Sequence, residues 1–132
     1  MTYAWVDHTA ELELRINAPT EAGVFVDALR AFGELAGDEL AAERVAFDVE
    51  LEAPDRAELL VRWLDELVFR AETEDLVPDE VERLELGDGR LAATVRAARG
   101  APRHLVKGVT YSGLAFERGE DGGYRATVVL DV

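Results

Sequence analysis

Two kinds of apolar spacing alternate along this chain, and their order limits the folds open to it. From Ala10 to Ala18 (AELELRINA), Leu12, Leu14 and Ile16 alternate with Glu11, Glu13, Arg15 and Asn17. A period of two marks a strand with one buried face. Pro19 ends the run and Thr20 is a good helix N-cap. From Glu21 to Ala36, Val24, Phe25, Ala28, Leu29, Phe32, Leu35 and Ala36 recur at three- and four-residue spacing, the stripe of an amphipathic helix. Gly37 is placed to stop it.

The alternation then repeats. Glu43–Ala53 is strand-like through Val45, Phe47, Val49 and Leu51. Asp55 opens a second helix, with Leu59, Leu60, Trp63, Leu64, Leu67, Val68 and Ala71 on one face. Asp55 with Glu58 three residues on resembles a capping box. After Val77-Pro78 the strand period returns in EVERLEL and RLAATVRA, joined by Gly87-Asp88-Gly89, a strong hairpin signal. Ala98–His104 reads as a polar loop. LVKGVTYSGLAFE, RGEDGG and YRATVVLDV form a second hairpin. The order is β, α, β, α, then four β, with Tyr3–Val6 open as a further strand. The expected fold is α+β: two helices packed on a mostly antiparallel β-sheet. The 132 residues suit one domain spanning 1–132.

Composition removes several functions. The sequence has no cysteine, which excludes disulfides, thiolate metal sites and a cysteine nucleophile, and fits a reducing cytosol. No secretory leader or membrane-spanning stretch is visible, so a cytoplasmic protein is expected. The 28 acids against 14 bases give a net charge of −14. That surface repels phosphate backbones, so no direct nucleic-acid binding is expected, while cations or a basic protein partner suit it. Lys107 is the only lysine.

Sites for chemistry are few. The stretch WVDHTAEL gathers Asp7, His8, Thr9 and Glu11. Asp7 and His8 together could orient an imidazole, but no nucleophile accompanies them. Asp7 and Thr9 read best as a polar turn before the strand, bonded to nearby backbone. Glu11 shares the polar face of its strand. At the other end, Asp131 lies on the face of Arg125, Thr127 and Val129, and Val132 after it would add a terminal carboxylate. Adjacent carboxylates repel unless a proton or cation lies between them, and hard divalent cations take oxygen ligands. Spacing does not establish that Glu11 meets Asp131. There is no HExxH, EF-hand loop, P-loop or GxGxxG.

Four segments together resemble the archease family. WVDHTAELELRI resembles its aromatic and D/E-HTAD signature, and VKGVTYSGLAFE its K-A-V-T-Y-H stretch. TVVLDV resembles its closing strand ending in Asp-Ile. LLVRWLDELVFRAETEDLV resembles its W-L-N-E-L-L helix with an acid-rich exit. The resemblance runs in order over nearly the whole chain. It implies an archease-like fold and a helper role: an activator of an RtcB-type RNA ligase in transfer-RNA splicing and RNA repair, promoting guanylylation and multiple turnover. No catalysis by the chain itself is implied. It also implies a divalent cation, calcium foremost with magnesium or manganese as alternatives, held by Glu11, Asp131 and the carboxylate of Val132. The chain departs from the family pattern in having Glu11 for Asp and Ser112 where His is frequent; Gly108 for Ala and Val132 for Ile are milder changes. Two other readings stand beside it: a metal-independent interaction module for another partner, and a small metal-dependent hydrolase with His8 as its base.

Overall fold

The computed structural model of the chain describes residues 2–8, 11–37, 43–100, 102 and 106–132, with Asp7 and His8 described by backbone alone. Each apolar run takes the element its period dictates. The strands are β1 (Thr2–His8), β2 (Glu11–Ala18), β3 (Arg44–Glu52), β4 (Leu76–Gly87), β5 (Arg90–Arg99), β6 (Gly108–Arg118) and β7 (Tyr124–Asp131). The helices are α1 (Glu21–Ala36) and α2 (Arg56–Glu74). The fold is α+β, as expected.

Local chemistry sets the helix ends. Thr20 Oγ1 accepts the Gly23 N–H at 3.0 Å, and the Gly37 N–H donates to Gly33 O at 2.7 Å. The Asp55 carboxylate accepts the Glu58 N–H at 2.8 Å. The reciprocal half of the capping box does not form. The Glu58 carboxylate instead accepts the Tyr111 Oη–H at 2.9 Å and pairs with Arg62 at 3.4 Å.

The strands form two antiparallel sheets rather than one: β1-β2-β7-β6 and β3-β5-β4. Each helix packs against both, α1 on β2 and β4, α2 on β6 and β3. The core lies between. Leu14 and Ile16 from β2, Val128 and Leu130 from β7, and Val95 from β5 meet Phe25, Phe32, Trp63 and Leu64 of the helices. A leucine buried this fully contributes roughly 1.5–3 kcal/mol, and the helical stripes and the inner strand faces share that cohesion. Trp63 is entirely buried, and its indole N–H donates to Phe25 O at 2.9 Å, tying α2 to α1.

Three local expectations change. Asp7 and His8 belong to strand β1, paired with Leu12 and Glu11, not to a turn. Thr9 lies outside the described residues. Pro78 does not precede strand β4 but lies within it. Proline removes a ladder donor and is tolerated on edge strands and at bulges, and β4 is an edge strand whose register shifts between Pro78 and Glu80. Ala98 and Arg99 extend β5 into the expected loop, of which 101 and 103–104 lie outside the described residues. Among the described residues no helix is long and apolar enough to cross a membrane.

Candidate functional site

The site candidates meet at one end of the four-stranded sheet. On β2 the alternation buries Leu14 and Ile16 and turns Arg15 and Asn17 outward; Glu11 and Glu13 follow the outward phase and are half-buried. On β7, Val128 and Leu130 are buried and Asp131 is exposed in the phase of Arg125. The antiparallel register of β2 and β7 sets Glu11 directly opposite Asp131. Directly opposed residues carry their β-carbons about 4.5–5.5 Å apart. Two carboxylates so opposed can reach one ion between them.

The neighbouring strands complete the row. His8 of β1 pairs with Glu11, and Gly108 of β6 pairs with Asp131. The Lys107 N–H donates to the Asp131 carbonyl at 2.7 Å. A β-carbon on Gly108 would meet nothing within 4 Å, so the site is open on that side. Val132 is half-buried and packs against the core, which holds this end of β7 in the sheet.

The donor set is hard oxygen, which suits a hard divalent cation. Its number is small. Among the described residues, no three His, Asp or Glu side chains come together in a way that could hold a metal ion. Among the described side chains, Glu11 and Asp131 are thus not joined by a third histidine or carboxylate.

Sequence reasoning missed a second group beside this end. The Tyr111 hydroxyl on β6 reaches Glu58 on α2, and that bond raises its pKa above the ordinary tyrosine value. Burial pushes the Asp65 carboxyl up, opposed by a hydrogen bond from the Val109 N–H. Tyr111 is 60% exposed, one of two large apolar side chains so placed among the described residues. Ser112, at the family's histidine position, is exposed, and its N–H donates to Thr110 Oγ1 at 3.0 Å. Glu58 and Asp65, seven residues apart, fall on one helical face; that spacing was the only signal, and it did not show that a strand crosses them.

Comparison with known proteins agrees with this architecture from end to end. The model of the Archease protein family matches residues 3–132. A curated archease of Methanopyrus kandleri is 34% identical, with all of both chains covered. The solution structure of a Methanobacterium thermoautotrophicum protein is 30% identical, covers 98% of each chain and superposes with a TM-score of 0.71. The crystal structure of a Thermotoga maritima archease, described as a possible chaperone, shares the fold at 22% identity. Its TM-score is 0.69, over 96% of this chain and 94% of that one. With the family match running through both ends of the four-stranded sheet, this chain belongs to the archease family.

Proposed function

We propose that this protein binds a divalent cation at the Glu11–Asp131 end of the sheet and activates an RtcB-type RNA ligase. The cation is calcium, or magnesium or manganese in its place. The third protein ligand in this reading is the α-carboxylate of Val132, as the family resemblance implies. The observation that supports this reading is the opposition of Glu11 and Asp131. Two carboxylates on directly opposed residues offer hard oxygen ligands to one cation between them. The ion would supply positive charge at an exposed sheet end; the chain's own residues bind and orient it.

The chain acts as an accessory factor rather than a catalyst. Its net charge of −14 keeps RNA away and favours approach to a basic protein surface. Glu11, one methylene longer than Asp, still offers a hard oxygen ligand, with a longer and less rigid reach. The partner is the ligase, met in the cytoplasm, and the service is guanylylation and repeated turnover in transfer-RNA splicing and RNA repair.

The test is a multiple-turnover ligation assay with the cognate ligase. The parent protein raises turnover, and Glu11→Ala and Asp131→Ala lose that effect while keeping the parent's melting temperature. Calcium titration by calorimetry gives binding to the parent and none to either variant. Full stimulation by both variants overturns the cation role. Stimulation by a parent that binds no calcium, magnesium or manganese establishes the metal-independent interaction module instead.

A further inference from the structure

Strand β6 is held to the sheet in two short pieces. Gly108, Val109 and Thr110 pair with Asp131, Leu130 and Val129. The next pairing is Ala115 with Thr127, so the four residues 111–114 stand against Val128 alone. Gly113 takes a φ of +71° within this bulge. The piece beside Asp131 thus has only three paired residues, and β6 is the outermost strand. Ordering each residue costs about 1–2 kcal/mol, while each backbone hydrogen bond returns about 1 kcal/mol net. A three-residue edge segment needs support from its other side.

That support comes from α2. Tyr111, the first residue of the bulge, donates its hydroxyl to Glu58 at 2.9 Å. Glu58 sits on the helix that packs against β6. The supported segment is the one that pins Asp131: Gly108 pairs with it, and the Lys107 N–H donates to its carbonyl. Without that segment β7 would end as an edge, and strand ends with one neighbour fray.

We propose that Tyr111, tied to Glu58, is a positioning residue for the Glu11–Asp131 pair, holding the 107–110 segment against Asp131 from outside the sheet. This rests on the cation site proposed above only for its consequence; the tether can be tested without any metal. The consequence is that α2 and the acid pair are mechanically linked, so a partner that engages the exposed Tyr111 would also act on the site.

The experiment is amide hydrogen exchange by NMR on the whole protein, comparing Tyr111→Phe, Glu58→Ala and Glu58→Gln with the parent. The reporter is the Lys107 amide. The control is the Ala53 amide, bonded to Gly89 O at 3.0 Å in the other sheet region. Lys107 exchange is expected to quicken roughly fivefold or more in Tyr111→Phe and Glu58→Ala. It should stay parent-like in Glu58→Gln, whose amide oxygen still accepts the tyrosine hydroxyl, and Ala53 should not change in any variant. Lys107 exchange within twofold of the parent in the first two variants overturns the proposal. So does equal acceleration at Ala53, which would mean general loosening. Terbium binding, as a luminescent stand-in for calcium, should weaken several-fold in the same two variants. If the parent binds no terbium, the cation reading fails, and the exchange ratio still decides whether Tyr111 holds Asp131.

Discussion

Gly33 of α1 sits so close to β4 that a β-carbon on it would lie 2.2 Å from the Pro78 carbonyl oxygen. Helix propensity alone argues for changing this residue, since glycine in a helix costs about 1 kcal/mol relative to alanine. Packing argues the other way, because the obstacle is backbone. Relief requires α1 and β4 to separate, and both carry core residues. Packing wins. Gly33→Ala is expected to destabilise by about 3 kcal/mol and to lower Tm by roughly 10 °C. Thermal unfolding followed by circular dichroism reads this directly, and a Tm at or above the parent's would contradict the close approach.

Asp27 is the one buried charged residue among those described, 3% exposed, and its Oδ2 has no hydrogen-bond partner. Burial raises its pKa above the ordinary aspartate value of 3.8, although Arg30 pulls it down. The folded state therefore binds this proton more readily than the unfolded state. Stability contributed by Asp27 falls as pH rises from the ordinary value through the raised one, and above that the penalty is constant. Asp27→Asn removes the charge at nearly constant volume. It is expected to gain about 1–2 kcal/mol at pH 7, with the gain shrinking as pH falls towards 4 and Asp27 takes up its proton. Urea denaturation of both proteins across that range measures the difference; a gain that grows on acidification would reverse the assigned sign.

The sequence revealed features decided within a few residues and concealed those decided across the chain. Thr20, Asp55 and Gly37 marked helix ends correctly because capping is local chemistry. The Asp88-Gly89 turn between β4 and β5 was legible for the same reason, with Gly89 at a φ of +68°. Strand phase put Glu11 on the outward face, but its opposition to Asp131 depends on which strands pair and in which register, and spacing carries no record of that. The division into two sheets was hidden likewise. Asp27 escaped because it lies off the stripe of Val24, Phe25, Ala28 and Leu29, and its burial follows from β1 and β2 closing over α1. The Tyr111 bulge escaped because T-Y-S-G reads as ordinary strand until its partner is known. The resemblance to a family linked the chain's two ends where periodicity could not.

Asp75 closes α2 in the left-handed region, with φ 54° and ψ 40°, and is the only described residue other than glycine with a positive φ. Its N–H donates to Arg70 O and its carbonyl accepts the Gly100 N–H at 2.8 Å, so the conformation is fixed from both sides. Left-handed geometry costs an L-residue roughly 1–2 kcal/mol, less for aspartate than for most and nothing for glycine. The negative side chain adds an unfavourable interaction with the helix dipole of about 0.3–1 kcal/mol, with no basic residue in the last turn to offset it. Against this, glycine loosens the unfolded chain by up to about 1 kcal/mol. The first two effects outweigh the third. Asp75→Gly is expected to stabilise by about 0.5–1 kcal/mol, whereas Asp75→Val, branched at the β-carbon where the backbone is most crowded, should lose about 1–2 kcal/mol. Chemical denaturation of the pair separates backbone from charge: if both variants gain, the charge governs this position, and if they move in opposite directions, the left-handed turn does.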